Sequence, residues 1–226
     1  MSLMPKPILV GVSTPQANPT VEAELRELLP AHCNMQVSRL TSRSTDSAGR
    51  LRDYLEHLDA TVAQYGGMPL RALGFACTSS TYLLGQARQD ELIIGLGLDY
   101  PVVTACDAIG AVLRRLGALR IALVMPYPEP LAAAAQAYWH DYGCDIAQVV
   151  RVDIGSQDTR RIYALGNADA AEALLQVDCG GADAVVVTGT GMPSLAAIGI
   201  AQERSPVPIF SSNMALAAEL LRAAGS

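Results

Sequence analysis

Two short stretches bring together residue types that can do chemistry. One is Cys77-Thr78-Ser79-Ser80, a thiol followed by three hydroxyls; the other is Thr188-Gly189-Thr190-Gly191, small residues whose backbone N–H groups can face an anion. A thiol donates a proton and a thiolate attacks carbon, and the thiol pKa decides which form is present. At the mouth of a helix, free N–H donors and a partial positive charge favour the thiolate and attract anions, so a lowered pKa is expected for Cys77. The ordinary fate of a free cysteine, burial as a small apolar residue, is the competing reading. Tyr127, in Met125-Pro126-Tyr127-Pro128, offers a hydroxyl to an anion and Asn18 an amide. A rim tyrosine without a role and a helix-capping asparagine explain these two equally well.

Other chemistries are disfavoured by what surrounds these stretches. The three histidines, His32, His57 and His140, fall in helical or post-helical segments, and no pair has metal-ligand spacing. Zinc chemistry and Cys/His or Ser/His/Asp arrangements therefore lack their parts. Leu83 stands six residues after Cys77, where a phosphatase loop needs arginine, and Ser194 stands where the third glycine of a dinucleotide fingerprint belongs. What remains is thiol chemistry among hydroxyls and N–H groups, a setting suited to an enolate or carbanion next to a carboxylate.

The elements that must position these residues come from a chain of 226 residues, 50% hydrophobic and 17% charged, the composition of a globular protein. Its net charge of −6 is spread along the chain and only 5% of residues are aromatic, so the basic stripe and stacking platforms of a nucleic-acid binder are missing. Apolar runs such as Ala182 to Val187 are strand length, far below the roughly 18 residues of a membrane span, and the apolar stretch before Ser13 is too short for a secretory signal. Cys33, Cys77, Cys106, Cys144 and Cys179 are odd in number and widely spaced, which predicts reduced thiols in the cytoplasm.

Val- and Ile-rich runs alternate with helical patterns throughout, the signature of βα units on parallel sheets. Strands are expected at Pro7–Val12, Met35–Leu40 and Ala72–Ala76, then near Val102, Ile121–Met125, Val149, Val185 and Ile209. A helix is expected from Asn18-Pro19 through Leu29, and another carrying Leu51, Tyr54, Leu55, Leu58 and Val62 up to Gly66-Gly67. Pro101–Gly117 is similar to Val207–Gly225, Ile8–Thr20 to Ile121–Pro130, and Leu73–Ser80 to Val185–Met192, which places Cys77 opposite Gly189. The chain thus reads as two similar α/β halves: residues 5–105 with a C-terminal helix at 213–226, and residues 106–212, forming one catalytic unit. Ligands of open parallel sheets bind outside the carboxyl ends of strands, where both polar stretches lie.

GFACTSS at Gly74–Ser80, TGTGMPSLAAI at Thr188–Ile198, the run from Pro101 to Tyr127, the closing PIFSSNMALAAELLRAAG and STPQANPTVE at Ser13–Glu22 resemble the aspartate/glutamate racemase superfamily. Within it they are most similar to the branch of maleate cis-trans isomerases and arylmalonate decarboxylases, over nearly the whole chain. The resemblance implies two Rossmann-like subdomains with parallel sheets related by a pseudo-twofold, the site in the cleft between them, no cofactor or metal, and a small carboxylate or dicarboxylate substrate. A homodimer is implied on family grounds alone. Racemases and maleate isomerases set two cysteines, one from each half, across the substrate; the decarboxylases keep that of the second half. By resemblance Cys77 is the first-half cysteine, Thr78 and Ser79 are carboxylate or oxyanion donors, Tyr127 is a further donor, and Thr190 and Gly191 are donors from the second half. Asn18 matches a substrate-binding asparagine of the isomerases.

Gly189 is the departure, since it stands where the second cysteine belongs. Glycine supplies neither acid nor base, which disfavours two-base racemisation. Two schemes remain for a single thiol: addition of Cys77 to an activated double bond followed by rotation and release, or protonation by Cys77 of an enediolate left by decarboxylation. A non-catalytic carboxylate-binding module is the reading of another class. Arg39 and Arg43 offer partners for a second carboxylate, though unpaired surface arginines are commoner.

Overall fold

The structure is a computed structural model describing residues 7–225; residues 5 and 6 of the expected first half, and Ser226, lie outside the described residues. Its β-branched runs form two parallel sheets. The first holds β1 (Ile8–Pro15), β2 (Cys33–Leu40), β3 (Ala72–Phe75) and β4 (Val102–Thr104) in the order β2-β1-β3-β4; the second holds β5 (Arg120–Met125), β6 (Asp145–Arg151), β7 (Ala184–Val187) and β8 (Ile209–Ser211) in the order β6-β5-β7-β8. The order is the same in both, so the internal similarity of the sequence is a repeat of topology. The inner strands β3 and β7 are buried throughout, as expected for parallel sheets covered on both faces.

Between the strands run α1 (Thr20–Leu28), α2 (Ser47–Glu56), α3 (Leu58–Val62), α4 (Thr78–Leu84), α5 (Gln86–Gly95), α6 (Ala105–Leu116), α7 (Glu129–Asp141), α8 (Asn167–Leu174), α9 (Leu195–Gln202) and α10 (Ser212–Ala223). The repeat extends to capping: Thr104 accepts from the Asp107 N–H at the start of α6, and Ser211 from the Met214 N–H at the start of α10. Among the described residues no helix is long and apolar enough to cross a membrane.

Two expectations are adjusted. The helix expected to run through Val62 is interrupted at His57, whose φ of −114° and ψ of 30° separate α2 from α3. Leu51, Tyr54, Leu55 and Leu58 are nonetheless all buried, so the apolar face continues across the break. Strand β1 continues past Val12 to Pro15 although Ser13 and Thr14 are polar and buried. The Ser13 hydroxyl lies 3.0 Å from Ser38 Oγ and 3.3 Å from Tyr65 Oη, and this local partnership lets the strand continue into the interior.

The halves are stitched together. Helix α10 follows β8 of the second sheet but packs on β3 and β4 of the first, with Leu216 and Leu220 lying over Gly74. Glu24, buried on α1, accepts from the N–H groups of Ser194 (2.6 Å) and Leu195 (3.2 Å) at the start of α9 and from Asn213 Nδ2 (2.7 Å) on α10. The Thr20 hydroxyl donates to the Gly191 carbonyl at 2.8 Å.

Candidate active site

Cys77 follows the end of β3 by two residues and Gly189 follows the end of β7 by two, so the repeat brings both to strand carboxyl ends. The two ends meet in one cleft. Asn18, Cys77, Thr78, Ser79, Tyr127, Gly189, Thr190 and Gly191 all line it, together with Pro15, Leu51, Thr159, Ile162 and Tyr163. The cleft encloses about 350 Å³ of non-atom space, part of it open to solvent.

Cys77 is buried, and Ser80 Oγ donates to its sulfur at 3.2 Å. Burial pushes the thiol above its ordinary range, while the Ser80 hydroxyl and the N–H groups of Ser80 and Ser79 act in the opposite direction. The expected lowering at a helix mouth is therefore corrected: removal of water from the sulfur outweighs the donors around it. Burial thus favours the protonated thiol at neutral pH.

Tyr127 is no rim residue but a fully buried side chain whose hydroxyl lies 2.7 Å from Thr78 Oγ1. Burial raises its pKa far enough to keep it a phenol, with the Thr78, Thr188 and Ser79 hydroxyls opposing. Asn18 caps a helix and also lines the cleft. Its Oδ1 accepts from the N–H groups of Thr20 (2.9 Å) and Val21 (3.3 Å), capping α1, while its Nδ2 donates to Thr190 Oγ1 at 3.3 Å. Thr190 Oγ1 in turn donates to the Ala76 carbonyl at 2.9 Å, fixing the two strand ends against each other.

The second-half turn differs from expectation. The Gly189 N–H donates to Ser212 Oγ at 3.0 Å instead of facing the cleft, and the N–H groups opening α9 are taken by Glu24. The Gly189 N–H and those opening α9 thus serve as structure, and the cleft-lining groups able to donate to an anion are the Thr78, Ser79 and Tyr127 hydroxyls, the Asn18 amide and the Thr190 and Gly191 N–H groups. Gly189 has φ +107°, and a Cβ there would stand 3.2 Å from both Pro126 Cδ and the Tyr127 hydroxyl. Gly189→Cys is accordingly expected not to restore a two-thiol site: it should cost about 1–3 kcal/mol in urea unfolding and lower activity by displacing Tyr127. A gain in activity would show that the turn adapts.

Residues of the second half missed by the sequence reading close the cleft. The Tyr163 ring lies against Gly191, where a Cβ would approach Cε1 to 2.8 Å, and Ile162 stands beside it. Both belong to a 3-10 turn, Thr159–Ala164, held from the other half by Arg50. This buried arginine donates to Asp158 Oδ1 at 2.8 Å and Thr159 Oγ1 at 3.3 Å. Arg160 first, and Arg50 with it, hold the Asp158 carboxyl well below the usual range. The signal in the sequence is a charge at Arg50, set among the apolar positions Leu51, Tyr54 and Leu55 of α2. Arg39 pairs with Glu22 and donates to the Asn18 carbonyl at 3.1 Å, backing the site without facing it, and Arg43 is exposed.

The arylmalonate decarboxylase family model matches residues 10–226. The maleate isomerase of Geobacillus stearothermophilus is 25% identical over 97% of this chain and 92% of its own length. Among solved structures, the maleate isomerase of Pseudomonas putida superposes with a TM-score of 0.87 at 22% identity, covering 96% of this chain and 93% of that one. A variant of the Nocardia farcinica maleate cis-trans isomerase carrying a covalently bound succinylcysteine intermediate superposes with a TM-score of 0.81 at 24% identity, covering 96% and 92%. With the match running from the first strand through the last helix, the chain belongs to the arylmalonate decarboxylase family.

Proposed function

We propose that this protein isomerises a small cis-dicarboxylate, maleate or a close analogue, to the trans isomer through a covalent adduct of Cys77. The observation carrying this reading is a lone thiol at the base of a narrow cleft ringed by neutral donors: Thr78, Ser79, Tyr127 and Asn18. The Cys77 proton is lost to solvent, and the thiolate adds to one alkene carbon. As the Sγ–C bond forms, the π pair moves to the neighbouring carbon and into its carboxylate, where the hydroxyl donors meet the developing charge. Rotation about the new single bond and expulsion of the thiolate then leave the trans alkene. The Nocardia relative with its succinylcysteine supports this chemistry by likeness. We further assign Cys77 as the nucleophile and the four donors as substrate-binding residues, with both halves acting as one catalytic unit. The five free thiols support a reducing, cytoplasmic setting.

Proton NMR of maleate incubated with the protein in deuterium oxide tests the proposal. Fumarate free of deuterium on carbon is the expected product, because no proton visits carbon. The family name and the protonated state of Cys77 favour one second reading, decarboxylation of a substituted malonate with Cys77 as proton donor. Its mark is loss of carbon dioxide from phenylmalonate with deuterium entering the product. Tight carboxylate binding with neither reaction points instead to a binding module.

The raised thiol pKa fixes a pH dependence. The reactive thiolate is the minor form below the ordinary value of 9.0, and burial moves the titration higher still. Maleate kcat/KM is expected to rise about tenfold per pH unit through neutrality without levelling off before pH 9. A plateau already reached at pH 7 would contradict the observed burial as the controlling influence.

A further inference from the structure

We propose that Ser80 is a further catalytic residue, its hydroxyl dedicated to the Cys77 sulfur so that a thiolate can form, and later leave carbon, in a cleft that offers it no countercharge. The kinetic consequence rests on the isomerase reading; the effect on the sulfur does not. Cys77 is the N-cap of α4, with φ −147° and ψ 102°, and Ser80 is the third residue of that helix, so the two side chains share its first turn. The Ser80 hydroxyl donates to Cys77 Sγ at 3.2 Å and has no other partner among the described residues. Its neighbours in sequence are used differently. Thr78 Oγ1 meets the Tyr127 hydroxyl at 2.7 Å, Ser79 lines the cleft, and Thr81 Oγ1 donates to Gln89 Oε1 at 2.6 Å. Ser80 is completely buried and is not part of the cleft wall, so substrate does not compete for its hydrogen.

The surroundings of the sulfur make this bond matter. Among the described residues no Lys, Arg or His side chain lines the cleft. The titratable groups around the sulfur are Tyr54 on α2, Cys106 on α6, Tyr127 beyond β5 and Tyr163 on the Thr159–Ala164 turn; burial raises the pKa of each, so all four are uncharged at neutral pH. The charges behind them, Arg50 and Arg160, are both met by Asp158, at 2.8 Å and 2.6 Å. A thiolate here is therefore held by hydrogen bonds. A donor counts for more on the anion than on the thiol, because a hydrogen bond to a charged group is roughly twice as strong as one between neutral groups. Ser80 thus stabilises the form that attacks the alkene carbon, and stabilises it again as the leaving group when the adduct collapses.

Titration of Cys77 tests this directly. Thiolate absorbance in the ultraviolet, read as the difference between the protein and its Cys77→Ala variant, isolates this sulfur from the other free thiols. The same difference taken in a Ser80→Ala background should place the pH at which a given fraction is ionised about one unit higher, a tenfold change in ionisation constant. An unchanged titration, or one moved down, overturns the proposal. With maleate, Ser80→Ala should lower kcat/KM about threefold on the rising limb of the pH profile, less than the change in ionisation because the less stabilised thiolate is the better nucleophile. Loss of turnover without a titration shift, or a shift without any loss, overturns the catalytic role equally: the first makes Ser80 structural, the second a bystander to the chemistry. If the wild-type protein does not turn over maleate, the isomerase reading fails, and the absorbance titration still decides what Ser80 does at the sulfur.

Discussion

Cys77→Ala is expected to lower maleate turnover by more than about 10⁴-fold, the scale on which removal of a nucleophile acts. Among the described residues nothing else lining the cleft can form the adduct: Thr78, Ser79 and Tyr127 present neutral hydroxyls, and burial keeps Tyr127 a phenol. The fold should survive. The alanine keeps the Cβ, and the main loss is the acceptor of one Ser80 hydroxyl, worth about 1–2 kcal/mol. Steady-state kinetics by NMR and a thermal melt measure the two quantities separately. Residual activity above a hundredth of wild type would remove the thiol from the mechanism. Mass spectrometry of the acid-quenched wild-type enzyme should, in parallel, find the mass of one maleate added to the peptide carrying Cys77.

The second large effect is on stability. Glu24→Ala withdraws one acceptor from three donors at once: the buried Ser194 N–H, the part-buried Leu195 N–H, and the Asn213 amide, which keeps only its 3.2 Å bond to the Thr190 carbonyl. An unsatisfied buried donor costs about 1–3 kcal/mol, so the loss should reach about 3 kcal/mol or more in urea unfolding. For a chain of this size that lowers the melting temperature by about 6–12 °C. Glu24→Gln should fall between: its remaining oxygen can still accept from the start of α9, but its amide nitrogen then faces the Asn213 amide, donor against donor. An alanine variant as stable as wild type would mean that water replaces the carboxylate in this seam. The seam also holds the turn carrying Thr190, so activity should fall along with stability.

The parts of this architecture that are local were legible in the sequence. Small polar residues right after a buried strand marked Cys77 and Thr188–Gly191, and βα alternation with matched segments revealed the repeat that sets them opposite each other. The misreadings concern what the other half contributes. A helix mouth next to Cys77 suggests a lowered pKa only if the sulfur stays wet, and the facing half removes that water. The N–H groups opening α9 look free until Glu24, about 170 positions earlier, is seen to reach them. Tyr163 and Ile162 escaped notice because their segment has no apolar periodicity and is placed by Arg50, a contact made across the halves.

The course of α10 reaches beyond the finished molecule. This helix leaves the second sheet and covers Gly74 on the first with Leu216 and Leu220. A ribosome making the chain releases all four strands of the first sheet long before it releases the helix that shields β3. Roughly 100 residues separate β4 from α10, so at about 5–20 residues per second that face stays bare for about 5–20 s in every round of synthesis. The N-terminal half thus waits for the far end of its own chain. The time for which that face is exposed during translation, and not only the stability of the completed chain, depends on that single crossing.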